Sequence, residues 1–91
     1  MTFEVLQTRR FARQYKKMHD NIVCEVDKVV MLLAADLDLG TLKSGDLAHI
    51  RVYKFQAVNQ HYLLAYSTED VLKLIYLEAL GVHENFYRDL K

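Results

Sequence analysis

The chain has no proline, only three glycines and one cysteine, and each scarcity excludes something. With Gly40, Gly45 and Gly81 as its only glycines, it reads as compact elements joined by short turns, without a linker or low-complexity tract. Gly40 and Gly45 are too far apart to build a phosphate-binding glycine loop. Cys24 has no partner for an internal disulfide, which points to a reducing compartment. Inside a helical pattern it reads as a buried packing residue, not a catalytic thiol. Four scattered histidines and this cysteine show no ligand spacing, so neither a metal nor another cofactor is expected. No Ser-His-Asp arrangement is legible. No apolar run approaches the roughly 20 residues that span a bilayer. The opening Met1-Thr2-Phe3-Glu4 lacks the basic-then-apolar layout of a signal peptide. The expectation is a cytoplasmic protein with no membrane role.

What remains is good core material. Ninety-one residues make one domain, 1–91, and a hydrophobic content of 52% with six tyrosines argues against disorder. Net charge is zero but unevenly spread. Residues 1–18 carry Arg9, Arg10, Arg13, Lys16 and Lys17 against Glu4 alone, whereas 19–48 carry six acids against Lys28 and Lys43. A basic first helix suits phosphate or an acidic partner, and equally a solvated face.

Residues 2–6 suggest a short strand with Phe3 and Val5 on one face. Thr8 is placed to cap a helix in which Phe11, Tyr15 and Met18 recur at spacings of four and three. Asp20 or Asn21 starts a second helix, whose stripe is Ile22, Val26, Val29, Val30, Leu33 and Leu37. Residues 39–46 read as the one substantial loop. From 48 to 55, Arg51, Tyr53 and Phe55 alternate with Ile50, Val52 and Lys54, a period-two strand. A turn at 57–60, a strand beginning at 61–66, a turn at 67–70 and a strand at 71–80 follow, and 84–90 fits a final short helix. The expected fold is α+β: a helical hairpin packed on a mainly antiparallel four-stranded sheet, in the order β-α-α-β-β-β.

These elements resemble the RelE/ParE toxin superfamily of type II toxin–antitoxin systems. The resemblance rests on the opening strand, the basic first helix and the apolar second helix. It also rests on Gly45-Asp46-Leu47 followed by Ile50 to Phe55, and on Tyr62-Leu63-Leu64-Ala65-Tyr66. The tail Leu80-Gly81-Val82-His83-Glu84-Asn85-Phe86-Tyr87 is similar to the YafQ-like branch, where a Gly-x-His turn precedes an aromatic residue four positions on. The resemblance implies a toxin covered by a cognate antitoxin and, in many relatives, metal-free cleavage of mRNA on the ribosome. Operator DNA is implied as a partner only through the antitoxin. ParE relatives instead inhibit DNA gyrase, and a non-catalytic antitoxin-binding or repressor domain is a third reading.

Metal-free RNA cleavage needs the ribose 2′-oxygen to attack the adjacent phosphorus. Proton transfer suits histidine, phosphate charge suits lysine or arginine, and an aromatic ring suits a displaced base. On the resemblance, His83 is the candidate proton-transfer residue, and the alternative is a surface or capping histidine. Lys54 suits either a phosphate site or a solvent-exposed strand end. Arg51 suits a bidentate phosphate grip or a structural salt bridge. Tyr87 is the candidate stacking or orienting ring, with Phe86 buried against the sheet. Arg88 and Lys91 are possible RNA contacts, as are His61 and His49, either of which could be a second proton-transfer group. His19 reads as a turn residue.

Overall fold

A computed structural model describes residues 3–43, 45 and 49–82. The first strand, β1 (Glu4–Gln7), leads through Thr8 into α1 (Arg9–Lys16) and then α2 (Asp20–Ala35). A 3-10 turn (Leu37–Leu39) precedes β2 (Thr41–Leu42), and with β3 (Arg51–Ala57), β4 (Gln60–Glu69) and β5 (Leu74–Val82) the described residues form a five-stranded sheet. The sheet order is β1-β5-β4-β3-β2. Among the described strands only the β1–β5 pair is parallel, so the sheet is mainly antiparallel as expected.

Both helices lie on one face. The Thr8 hydroxyl accepts the Phe11 N–H (3.1 Å), which fixes the start of α1. The same hydroxyl proton is shared between the carbonyls of Leu77 (3.2 Å) and Glu78 (3.0 Å), tying the helix start to β5. Phe11, Ile22, Val26, Val29 and Leu33 supply the helical side of the main core. Ala57, Tyr62, Leu64, Tyr66, Ile75, Leu77 and Leu80 supply the sheet side. The predicted α2 stripe is therefore the core stripe, with Val30 and Leu37 packed at its margin. A smaller apolar layer of Ile50, Val52, Leu63, Ala65 and Ala79 occupies the opposite face, which is helix-free among the described residues.

The observed elements differ from the expected ones in several places. The sheet has five strands, because residues 39–46 are not all loop: Thr41 and Leu42 pair with Val52 and Arg51. Two residues are too few to carry a periodic signal. The last turn lies three residues later than expected, at 70–73, with Val71 86% exposed. The Glu69 carboxylate accepts the N–H groups of Val71 (2.6 Å) and Leu72 (3.0 Å), and Lys73 adopts φ +58°. This local capping overrides the β-branched composition. Cys24 is exposed, not buried. It sits two positions from both Ile22 and Val26, about 200° round the helix from each, and so faces solvent. The final short helix proposed for 84–90 lies outside the described residues.

Candidate functional site

Strand alternation decides which predicted site residues can meet. In β3, Arg51, Tyr53 and Phe55 share the helix-covered face, while Val52 and Lys54 share the other. Arg51 and Lys54 therefore point to opposite sides of the sheet. The Arg51 Nη1 donates to the Gly40 carbonyl (2.9 Å), and its Nη2 lies 3.4 Å from Asp38 Oδ1. Through these contacts the half-buried Arg51 fastens the segment between α2 and β2 onto β3.

That segment is also held by Tyr66, which is fully buried. Its hydroxyl donates to the Leu37 carbonyl (2.7 Å) and accepts the Gly40 N–H (2.8 Å). Burial pushes the Tyr66 phenol above its ordinary pKa, while the Gly40 N–H and the Arg51 charge pull it partly back. Gly40 is required by close approach: a Cβ there would stand 2.6 Å from the Tyr66 oxygen.

The helix-free face is different in character. Lys54 is exposed and, among the described residues, has no hydrogen-bond or ion-pair partner. It borders a cleft of about 420 Å³ floored by Val52 and Leu63 and bordered also by Leu39, Thr41 and Lys43. Thr41 pairs with Val52, so the short β2 strand builds one wall. Lys54 pairs with Leu63, and His61 lies two residues earlier in β4, opposite Gln56. Lys54 and His61 thus occupy diagonal positions on one face, a separation of roughly 7–8 Å between backbones. Farther along this face the Ser67 hydroxyl donates to Glu78 (2.7 Å).

His49 is exposed in the turn before β3. His83, Tyr87, Arg88 and Lys91, with Phe86, lie outside the described residues. The described part of β5 ends with Val82 opposite Tyr62, beside the His61 end of β4. Lys43 and Thr41 are the cleft residues that sequence reading missed, because their segment was read as loop. The alternation of Thr41, Leu42 and Lys43 was the available signal, and it was too short to weigh. Among the described residues, no group of three His, Cys, Asp or Glu side chains could hold a metal ion. No described helix is long and apolar enough to cross a membrane.

A second kind of surface lies along β1. This edge strand is exposed throughout. Val5, Leu6, Gln7, Tyr76 and Leu77 line a groove of about 690 Å³. A neighbouring, mainly apolar groove of about 430 Å³ runs between the helices past Phe11, Tyr15, Val30 and Met31.

Solved structures that share this architecture include bacterial toxins. A free-state mutant of the E. coli toxin RelE superposes with a TM-score of 0.78 at 13% identity, covering 99% of this chain and 90% of that one. A chain of the RelBE2 toxin–antitoxin complex from Mycobacterium tuberculosis gives 0.80 at 18% identity, covering 91% and 100%. One from the intact E. coli RelBE toxin–antitoxin complex gives 0.75 at 13%, covering 90% and 98%. At these identities the likeness establishes the fold. Comparison with curated protein sequences returns no match. Residues 5–91 match the family model of the ParE-like toxin of type II bacterial toxin–antitoxin systems. By that match over nearly its whole length, and with the fold to go with it, the chain belongs to the ParE-like toxin family, within the RelE/ParE superfamily.

Proposed function

We propose that this toxin acts on translated mRNA in the ribosome, cutting it without a metal, and that a cognate antitoxin holds it inactive. The observation carrying this reading is Lys54 on the helix-free face, without a partner among the described residues, diagonal to His61 and bordering the same cleft as Lys43. In the reaction a base removes the 2′-hydroxyl proton and the 2′-oxygen bonds to the adjacent phosphorus. The bond from phosphorus to the 5′-oxygen then breaks, and that oxygen takes up a proton. The products are a 2′,3′-cyclic phosphate and a free 5′-hydroxyl. Lys54 stabilises the charge gathering on the phosphoryl oxygens, where a fixed cation lowers the barrier most. His83 and His61 serve as the proton-transfer pair, since an imidazole can both accept and donate a proton. Tyr87 stacks on or orients the base at the cut, and Arg88 and Lys91 add phosphate contacts. Arg51 is assigned no part in the chemistry, because its guanidinium is engaged on the other face.

The antitoxin is assigned to the β1 side. An open strand edge offers main-chain hydrogen bonds, and the two grooves offer apolar anchorage, the combination used by strand- or helix-forming partners.

The test is induced expression without antitoxin, followed by mapping of transcript ends. Growth arrest with cuts inside translated regions is expected, and His83→Ala and Lys54→Ala should each relieve it while the purified proteins stay folded. A second reading, inhibition of DNA gyrase, draws on the ParE-like character of the family match. It would give arrested replication, a DNA-damage response and intact transcripts. Harmless induction of well-folded protein would leave only the non-catalytic, antitoxin-binding role.

A further inference from the structure

The charge segregation along the chain has a location in three dimensions. Arg10, Arg13, Gln14 and Lys17 line a cleft of about 320 Å³ on α1, which with its C-cap Lys17 carries five cations and no acid. One lining residue fixes where this cleft sits. The Gln14 Oε1 accepts the Leu80 N–H at 2.7 Å. Pairing of β1 with β5 stops at Leu77, so residues 78–82 of β5 have an edge that β1 does not reach. α1 lies across that edge, which puts its cations beside the exit of β5, the same end of the sheet where Tyr62 and His61 begin β4.

We infer that the α1 cleft is a second phosphate-binding site, gripping the RNA backbone some nucleotides away from the Lys54 cleft. The inference rests on the RNA-directed reading above and extends it to a surface that does no chemistry. The lining explains the choice of ligand. Its side chains are cationic or amide, with no apolar anchor, whereas protein partners need buried apolar or aromatic anchors. Such anchors are present in the grooves along β1 and between the helices, not here. A polyanion needs none, because released counterions supply its affinity.

The experiment uses the full chain and a fluorescent 2′-O-methyl RNA oligonucleotide, which lacks the attacking hydroxyl and cannot be cut. Its affinity is read by anisotropy across a salt series. Each phosphate neutralised on a single strand contributes about 0.7 to the slope of log affinity against log salt. The double variant Arg13→Ala/Lys17→Ala should lower that slope by about 1.4 and weaken binding roughly tenfold near 0.1 M salt. Arg13→Lys/Lys17→Arg should restore both, and Lys54→Ala should lower the slope separately. If the double variant binds RNA as wild type does while Lys54→Ala loses affinity, the α1 site is overturned and the cleavage reading stands. If Lys54→Ala alone is without effect, the cleavage reading loses its support and the α1 site stands. If the double variant instead loses only the binding of a poly-glutamate peptide, the cleft belongs to an acidic protein partner and the proposal fails.

Discussion

The hydroxyl of Tyr66 accepts the backbone N–H of Gly40 at 2.8 Å and donates its own proton to Leu37, joining the middle of the sheet to the segment that leaves α2. Tyr66→Phe removes both bonds and leaves a buried N–H and a carbonyl without partners, a cost of about 1–3 kcal/mol. Gly40→Ala forces a methyl group against the same ring and should cost about as much, through overpacking. Urea denaturation of each variant checks this. The double variant should lose less than the sum, since the two residues share one contact.

Arg51 and Lys54 should respond in opposite ways. Arg51→Ala should lower the melting temperature, because Gly40 loses a charge-assisted hydrogen bond, and should leave the salt dependence of RNA binding unchanged. The Asp38 contact contributes little of that loss, since its carboxylate is 87% exposed. Lys54→Ala should leave the melting temperature within about 1–2 °C of wild type and reduce RNA binding. Paired thermal melts and anisotropy titrations separate the two.

The β3–β4 hairpin turns on Val58 and Asn59, both in left-handed backbone at φ 51° and 63°. Asparagine suits that conformation, whereas a β-branched valine costs about 1–2 kcal/mol there. Val58 is also 58% exposed and contributes little packing. Val58→Asn should therefore stabilise the fold by about 1 kcal/mol, seen as a higher urea midpoint with an unchanged slope.

Alkaline pH should weaken the fold through two tyrosines. Tyr15 is raised chiefly by the hydrogen bond it donates to Asp27 (2.6 Å), and Tyr66 chiefly by burial. Each phenol keeps its proton in the native state at a pH where the unfolded chain has lost it. The unfolded state then binds fewer protons, so stability falls as pH rises. The contribution is intact below the unfolded value near 10 and disappears as pH climbs through the raised native values. Melting temperatures should hold from pH 8 to about 9 and decline as pH rises past about 10, and Tyr66→Phe should show a shallower decline from its lower starting point.

The helices and the long strands were legible because their signals repeat. The stripe from Ile22 to Leu33 and the alternation from Arg51 to Phe55 each run over several periods, and Thr8 announces its helix by position. The features missed depend on single contacts. Nothing local in Thr41 or Leu42 indicates that Val52 and Arg51 will pair with them. Val71 and Leu72 have strand composition, and only the reach of the Glu69 carboxylate turns them outward. At the site, the alternation that revealed β3 already implied that Arg51 and Lys54 cannot share a ligand. The Gly40 carbonyl then supplies Arg51 with a partner from the chain itself.

The parallel partnership of β1 with β5 sets a timetable. Thr8 finds its acceptors sixty-nine and seventy positions downstream, and Gln14 its donor sixty-six. During synthesis the first strand has nowhere to dock until Leu77 has emerged, and such distant pairings form slowly. Both helices are made long before the surface that covers them. The core beneath the helices therefore closes only when β5 has been made, near the end of synthesis.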